Sequence, residues 1–199
     1  MRIFIVNTGV GNIFSLKTAF KRLGHKTTIS LSEEELRTSD AIVIPGVGNF
    51  ESAVKRIEHI RVAIIDEVLS GKPLLGICLG YQLLFESSEE GRGKGLGIFR
   101  GRVMRLPNTV RVPHMGWNTI ENLRPSPLVD GIRDESFVYF AHSYYPVPRE
   151  NITIAETTYG VTFPSIGGRE PVYGVQFHPE RSGKVGLQIL RNFCEVVHR

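Results

Sequence analysis

The feature that most constrains the fold of this chain is the segment Gly-Ile-Cys-Leu-Gly at residues 76–80, which has the form G-x-C-x-G. It continues the apolar run that starts at Pro73, and such a run is typical of a buried strand. Glycine on both sides of Cys78 lets the chain turn sharply from strand to helix and hold the thiol in a strained, exposed position. A packed core gains nothing from glycine at both sites, so the pattern favours a nucleophile over a core cysteine.

A second segment, His178-Pro179-Glu180, follows about a hundred residues later. In an extended chain, residues two apart point to the same side, so the imidazole and the carboxylate can face one target. Taken alone, His178 is compatible with a structural histidine and Glu180 with a solvated carboxylate. With Cys78 they supply the thiol, the base and the orienting acid that a covalent cysteine mechanism needs.

The composition narrows the class of protein. With 199 residues, 41% hydrophobic and 22% charged, we expect one globular domain over residues 1–199. The net charge of +4 comes without a dense basic tract, which argues against nucleic-acid binding. Two cysteines are too few for a disulfide framework, and Cys194 is expected to pack in the core. The apolar runs are too short for a signal segment or a membrane span, so we expect a cytoplasmic protein.

The first half of the chain alternates between strand-like and helix-like segments. Short apolar runs predict strands at residues 3–6, 26–31, 40–44 and 74–77. Helical spacing of apolar residues predicts helices at residues 13–23, from about 50 to 69, and at 79–86. The alternation predicts an α/β fold, a three-layer sandwich with a mostly parallel central sheet and helices on both faces.

The second half of the chain has a different texture, rich in Gly, Pro and β-branched residues. We expect shorter, partly antiparallel strands added to the sheet, at residues 97–106, 117–120, 137–140, 152–158 and 172–177. A final helix is predicted at residues 183–197.

Three loops leave the carboxyl ends of predicted strands, at residues 8–12, 45–49 and 78–79, and ligands bind at that edge of an open α/β sheet. The first loop lacks the third glycine of a dinucleotide fingerprint. In the second, Gly46, Val47 and Gly48 can bring backbone N–H groups close to a ligand. With the N–H of Leu79 they predict an oxyanion hole.

At these residues the chain resembles a known family. The segments at 45–48, 76–82 and 177–180 are similar to the signatures of class I (triad) glutamine amidotransferases, which have a flavodoxin-like three-layer fold. The segments at 113–118, 82–90 and 9–12 resemble the branch of that family that serves histidine biosynthesis. The similarity runs from Met1 to the final helix.

The resemblance implies a glutaminase that uses neither cofactor nor metal. Cys78 attacks the carboxamide of glutamine, His178 transfers protons and Glu180 orients the imidazole. By the same resemblance, the amino and carboxylate ends of glutamine are held by Gln82, Glu90, Ser143 and Tyr144.

The resemblance also implies a partner, a (β/α)₈-barrel cyclase that receives the ammonia and forms imidazole glycerol phosphate and aminoimidazole carboxamide ribotide. The expected heterodimer interface comprises Asn12, Met115, Trp117, Tyr139 and Arg181, although Trp117 is also compatible with ordinary core packing. Two residues depart from the family pattern. Arg181 replaces the usual Lys. Tyr81 stands where relatives often have Met or His, and it is expected beside the mouth of the site.

Alternatives stay open at this point. The chain also fits a glutaminase for anthranilate, aminodeoxychorismate or guanylate synthesis, although the segment at residues 113–118 argues against these. A related cysteine-elbow hydrolase or thiol sensor would not need His178, Glu180 and Gln82 together. A subunit that lost catalysis would not need an intact triad.

Overall fold

The computed structural model of the chain describes residues 1–9 and 12–197. Val10 and Gly11, which belong to the first predicted loop and to the segment at 9–12, lie outside the described residues. Over the two described ranges, no helix is long and apolar enough to cross a membrane.

The described residues form the following elements. The strands are β1 (Arg2–Val6), β2 (Lys26–Ser30), β3 (Ala41–Ile44), β4 (Leu74–Ile77), β5 (Ser87–Ser88), β6 (Gly101–Arg105), β7 (His114–Ile120), β8 (Ser136–His142), β9 (Tyr144–Pro148), β10 (Thr153–Thr158), β11 (Thr162–Arg169) and β12 (Val172–Val175). The α-helices are α1 (Ile13–Arg22), α2 (Glu33–Arg37), α3 (Phe50–Ile57), α4 (Arg61–Leu69), α5 (Leu79–Leu83) and α6 (Gly183–Val196). Three short 3₁₀ turns comprise Glu58–Ile60, Pro127–Val129 and Pro179–Arg181.

A seven-stranded sheet in the order β10-β11-β12-β4-β3-β1-β2 forms the centre of the fold. The neighbours from β12 to β2 are all parallel, whereas β10, β11 and β12 pair antiparallel. The predicted α/β class, with a mostly parallel sheet and antiparallel additions from the C-terminal half, is therefore confirmed. Parallel strands end at one edge of the sheet, so the segments that follow β3, β4 and β12 meet there.

Side chains of the sheet alternate between two hydrophobic layers, as the two-residue period of a strand requires. On β1, Ile3 belongs to the same core cluster as Phe20 of α1 and Phe193 of α6. The next residue, Phe4, belongs to a second cluster that includes Phe50 of α3. The helices therefore cover both faces of the sheet.

Three of the predicted C-terminal strands do not join the central sheet. β6 pairs with β5 and β9 in a separate sheet, and β7 pairs with β8 alone. β7 and β8 pair over their whole length, from His114 opposite His142 to Ile120 opposite Ser136, so their ladder hydrogen bonds are made without the central sheet. Only the segments that form β10 and β12 join it, as predicted. β11 was not predicted, because Pro164 and two glycines weaken its strand signal.

The helix predicted from about residue 50 to 69 is divided into α3 and α4 by the 3₁₀ turn Glu58–Ile60. A 3₁₀ turn has three residues per turn, which changes the phase of the helix. Ile57, Ile60 and Ile64 are nevertheless all buried, at the i, i+3 and i+7 spacing of one helix face. The predicted helix at 79–86 is also shorter, because α5 ends at Leu83.

The turn from β4 into α5 depends on glycine because backbone segments touch there. A Cβ atom at Gly80 would overlap the carbonyl oxygen of Ile44 on β3, and one at Gly76 would lie 2.7 Å from the oxygen of Gly80. Side chains at these two positions would push α5 away from the sheet.

We therefore expect Gly80→Ala to lower the free energy of unfolding by about 3 kcal/mol, because the clash is with backbone that cannot rotate away. Gly131→Ala is the matched control. Unlike the helical Gly80, Gly131 has a positive φ, +74°, but it has open space around it, so only conformational strain of about 1 kcal/mol is expected. Urea denaturation of both variants measures the difference. Equal losses would contradict the close-contact explanation.

Candidate active site

The predicted elbow forms between β4 and α5. Cys78 has φ +53° and ψ −108°, a strained conformation for a residue with a side chain. Its N–H donates to the carbonyl of Val175 on β12 at 2.8 Å, which fixes the elbow to the neighbouring strand. The expectation of an exposed thiol is wrong in one respect, since Cys78 is only 4% exposed and lies at the base of a cavity.

His178 and Glu180 form a buried pair next to the elbow. His178 Nδ1 lies 3.0 Å from Glu180 Oε1, and both side chains are 4% exposed. Burial alone favours the neutral imidazole, but the Cys78 thiolate and the Glu180 carboxylate outweigh it and raise the pKa of His178 to about 10. A cysteine, an imidazole and a carboxylate therefore lie close together, in a setting that favours the charged form of the imidazole.

Ser182 fixes the backbone around this pair, a contact that sequence reasoning missed. Its hydroxyl donates to the carbonyl of His178 at 2.7 Å and accepts from the N–H of Tyr139 at 2.9 Å. The N–H of His178 in turn donates to the carbonyl of Tyr139 at 2.9 Å. The loop that carries the imidazole is thereby tied to β8.

The cavity above Cys78 has a volume of about 250 Å³. It brings together most of the residues predicted to border the oxyanion or bind substrate: Val47, Gly48, Leu79, Gln82, Glu90, Ser143 and Tyr144. Gly46 instead lines a smaller space on the far side of the loop, which Asn12, His178 and Glu180 also line.

The predicted oxyanion hole is closed in this conformation. The N–H of Leu79 donates to the carbonyl of Gly46 at 3.3 Å, so this donor already has a partner within the loop. Gly48 has φ +105°, in the region that favours glycine. A rotation of the loop backbone would be needed to free the Leu79 N–H for a ligand.

Two predicted substrate residues are already engaged through hydrogen bonds. Gln82 Nε2 donates to the carbonyl of Tyr144 at 2.8 Å and lies 3.2 Å from Gln176 Oε1. Glu90 Oε2 accepts from the N–H of Phe50 at 2.7 Å. Burial raises the pKa of Glu90, while the bond from Phe50 opposes that rise.

Three buried polar side chains at the site were missed by sequence reasoning. Gln176 contacts both Gln82 and Cys78, and His114 Nδ1 lies 3.0 Å from His142 Nε2. Two signals pointed to them. Gln176 precedes His178 by two residues, and His114 lies within the segment at 113–118.

The five residues predicted at a partner interface lie on the surface or beside it. Trp117 is 57% exposed and Met115 is 67% exposed, so core packing does not explain Trp117. Trp117 pairs across the strands with Tyr139, at a ring distance of 6.0 Å. Arg181 Cζ lies 4.0 Å from the ring centre of Tyr139. Asn12 is exposed, and its side chain accepts from Ser15 N at the start of α1.

The two remaining residues singled out from the sequence are both buried. Tyr81 is fully buried against β12, where a Cβ at Gly174 would overlap its ring, so the prediction that it lies beside the mouth of the site is wrong. Cys194 is 2% exposed in the core, as expected, and burial raises the pKa of its thiol to about 12. Over the described ranges, no cluster of side chains is suited to a metal ion.

A nucleophile elbow beside an imidazole–carboxylate pair, at the carboxyl edge of a parallel sheet, defines a cysteine-dependent α/β enzyme. Solved structures with this fold include a glutamine amidotransferase with TM-score 0.76 and 23% identity, covering 98% of this chain and 99% of that one. Another is a glutamine amidotransferase from Thermotoga maritima, with TM-score 0.74 and 18% identity, covering 100% and 99%.

The family comparison is more specific. Residues 4–197 match the model for glutamine amidotransferase class-I. Three relatives are imidazole glycerol phosphate synthase subunits HisH. That of Methanocaldococcus jannaschii is 44% identical, covering 98% of this chain and 100% of the relative. That of Thermococcus kodakarensis is 47% identical (96% and 98%), and that of Geobacillus kaustophilus 46% (98% and 96%). The chain therefore belongs to the class I glutamine amidotransferases and, within them, to the HisH family.

The charge coupling in the site predicts a titration. In Cys78→Ala the thiolate is lost, so we expect the pKa of His178 to fall from about 10 towards or below its ordinary value near 6.5. Because folding raises the pKa of His178, protonation of this residue stabilises the folded state. The full contribution is present at pH values below the pKa of His178 in the unfolded chain, and it is lost as the pH rises through about 10. NMR titration of the His178 ring measures the shift, with Cys194→Ala as the control that should leave it unchanged. An unaltered His178 in Cys78→Ala would contradict the coupling.

Proposed function

We propose that this chain is the glutaminase subunit of an imidazole glycerol phosphate synthase, a cytoplasmic enzyme of histidine biosynthesis. It hydrolyses L-glutamine to glutamate and ammonia and delivers the ammonia to a cyclase partner. The observation that carries the proposal is Cys78, held at positive φ beside the His178–Glu180 pair at the base of a cavity. Identity of 44–47% to HisH subunits over 96–98% of the chain supports the same conclusion.

The proposed chemistry uses the three residues of the triad in two steps. The Cys78 thiolate attacks the carboxamide carbon, and His178 donates its proton to the leaving nitrogen, which departs as ammonia and leaves a glutamyl thioester. His178 then takes a proton from water as the water attacks the thioester, and the sulfur leaves as thiolate. Glu180 accepts from His178 Nδ1, which fixes the ring orientation and stabilises its charged form.

Substrate binding is assigned to the cavity above the thiol. Glu90 lines it with a carboxylate that suits the α-amino group of glutamine, since opposite charges are strongly favoured where water is partly excluded. Ser143 and Tyr144 form another part of the cavity wall, and their backbone groups are assigned to the α-carboxylate. Gln82 supports this wall through its bond to the Tyr144 carbonyl.

The occupied Leu79 N–H implies a low resting rate. In the tetrahedral intermediate, an oxyanion-hole donor is typically worth ~3–4 kcal/mol. While the Gly46 carbonyl holds this donor, the transition state lacks it. We propose that binding of the cyclase and its ligand favours the rotated loop, in which Val47 or Gly48 and Leu79 can donate to the oxyanion.

The partner surface is assigned to the open face of the β7–β8 pair and its surroundings. Met115, Trp117 and Phe137 expose large apolar side chains on this pair. Beside them, Arg181 stacks on Tyr139. An interface rich in aromatic residues and arginine is typical of stable protein–protein contacts. The proposed occupant is a (β/α)₈-barrel cyclase, in a heterodimer with this one-domain chain.

Release of glutamate from glutamine tests the proposal. The isolated chain should turn over slowly, because its oxyanion donor is occupied, and the cyclase subunit with its nucleotide ligand should raise turnover by orders of magnitude. Cys78→Ala should abolish activity, whereas Cys194→Ala, the matched control at the other thiol, should retain it. A coupled dehydrogenase assay for glutamate measures all four conditions.

The outcomes separate the parts of the proposal. Full activity of the isolated chain that ignores the cyclase would leave a glutaminase but overturn the histidine-pathway assignment. The absence of glutamate release in every combination would overturn the enzymatic function itself.

A further inference from the structure

Gln176 is a fully buried polar residue that the proposed mechanism does not yet use. It follows β12, and its backbone N–H donates to the carbonyl of Ser165 on β11 at 2.9 Å. Its side chain reaches the nucleophile, because Nε2 donates to the Sγ atom of Cys78 at 3.6 Å. The other end, Oε1, accepts from Gln82 Nε2 at 3.2 Å.

The orientation of the Gln176 amide follows from the hydrogen bonds around it. The carbonyl of Tyr144 can only accept, so the Gln82 group that contacts it at 2.8 Å must be its NH₂. The same NH₂ meets the oxygen of Gln176, which leaves the Gln176 NH₂ directed at Cys78. The reverse orientation would bring two donors together at Gln82 and an oxygen against the sulfur.

The Tyr144 carbonyl, which fixes the orientation of Gln82, also accepts a hydrogen bond from a histidine. His142 Nδ1 lies 2.9 Å from it and must donate, so His142 Nε2 is an acceptor for His114 Nδ1. Asn118 Nδ2 lies 3.4 Å from the remaining nitrogen of His114. Burial lowers the pKa of His114 to about 4 and that of His142 to about 3, so both rings stay neutral at pH 7. Every bond between Asn118 and Cys78 therefore has a defined donor, and the bonds from His142 and from Gln82 meet at the Tyr144 carbonyl.

The hydrogen bond from Gln176 is important because another polar group near the sulfur is a carbonyl oxygen, which cannot donate. The thiol form of Cys78 can donate to the carbonyl of Ala141, 3.7 Å away, whereas the thiolate would only be repelled by that oxygen. Gln176 Nε2 offers the thiolate a fixed hydrogen-bond donor in a site that is closed to most solvent. Hydrogen bonds to charged groups are stronger than those to neutral groups.

We propose that Gln176 is a further catalytic residue, which donates a hydrogen bond to the Cys78 thiolate and is oriented by Gln82. This inference rests on the proposed glutaminase function. The bond favours the thiolate before attack, and it favours the sulfur as leaving group when water cleaves the thioester. In that second step the carbon–sulfur bond breaks, the electron pair returns to sulfur, and the water proton passes to His178.

The test measures the thiol directly, by its exchange with hydroxyethyl disulfide as a function of pH. The rate at Cys78 is followed by mass spectrometry of its peptide, which separates it from Cys194. In Gln176→Leu we expect the apparent pKa of Cys78 to rise by about one unit. At low pH the variant has a smaller fraction of thiolate, which lowers its rate of exchange. Each thiolate is also more basic and therefore more nucleophilic, by a Brønsted coefficient of ~0.4–0.5, which raises the rate. The variant should therefore react roughly threefold slower at low pH and roughly threefold faster at high pH, so that the two profiles cross.

Two further variants complete the series. Gln176→Glu keeps the size of the side chain and an acceptor for Gln82, but places a carboxylate beside the sulfur, so the shift should be larger than in Gln176→Leu. Gln188→Leu is the same substitution at the glutamine on α6, which bonds to Asn192 there. Its profile should superimpose on that of the unaltered chain.

The crossing of the profiles decides between a chemical and a merely structural role. A variant that loses reactivity equally at every pH, with an unshifted profile, would overturn the proposal. If Gln176→Leu does not fold, the Gln176→Glu profile and the side-chain amide resonance of Gln176 in the unaltered chain decide. The chemical shift of that resonance should change with pH as the Cys78 thiol loses its proton, and this change should be absent in Cys78→Ala.

The thiol measurement also separates this inference from the function on which it rests. It requires neither glutamine nor a partner subunit. A shifted profile in a chain without glutaminase activity would support Gln176 and overturn the proposed function. Glutamine turnover with an unshifted profile would support the function and overturn the role of Gln176.

Discussion

The close contact between β4, α5 and the neighbouring strands is the constraint on which the rest of the site depends. Gly76 and Gly80 allow this approach, because a Cβ atom at either position would meet backbone. The approach places Cys78 in a strained conformation, and the bond from its N–H to the Val175 carbonyl ties it to β12. Since β4 and β12 are parallel neighbours, the residues that follow β12 arrive at the same edge. Sheet pairing therefore brings Gln176 and His178 to the sulfur, with Glu180 behind His178.

The same edge combines a fixed candidate nucleophile with an adjustable candidate oxyanion site. The side chains of the three residues of the proposed triad are buried, and short hydrogen bonds hold His178, among them the one to Glu180 and those through Ser182. The loop after β3 is held less firmly, because the backbone bond that joins it to the elbow, from Leu79 to Gly46, is long at 3.3 Å. Such an arrangement keeps the chemistry ready while the last donor is withheld. It suits an enzyme whose product, ammonia, is useful only when a partner is present to receive it.

The sequence predicted those parts of the fold and the site that local patterns determine. The G-x-C-x-G segment, the apolar run of β3 and the His178–Glu180 spacing are local. The structure has the elbow and β3, although the thiol is buried, and it brings His178 and Glu180 together through the 3₁₀ turn Pro179–Arg181 instead of an extended segment. The separation of β7 and β8 from the central sheet was not predicted, because pairing between distant segments leaves no local signal. The burial of Tyr81 and the Gly46–Leu79 bond depend likewise on tertiary contacts. Gln176 was missed because a single polar residue in a strand-like segment has no periodic signature, and its position two residues before His178 was its one local signal.

The proposed chemistry depends on a covalent glutamyl intermediate on Cys78, which His178 helps to resolve. The most direct measurement is acid quench during turnover with glutamine, followed by mass spectrometry of the peptide that contains Cys78. In the unaltered chain, turning over with its cyclase partner, a glutamyl group should be found on Cys78, and it should be absent from Cys78→Ala. In His178→Asn both its formation and its hydrolysis should slow, because His178 is the proton donor of the first step and the base of the second. Release of glutamate by the unaltered chain without any adduct on Cys78 would contradict the covalent mechanism.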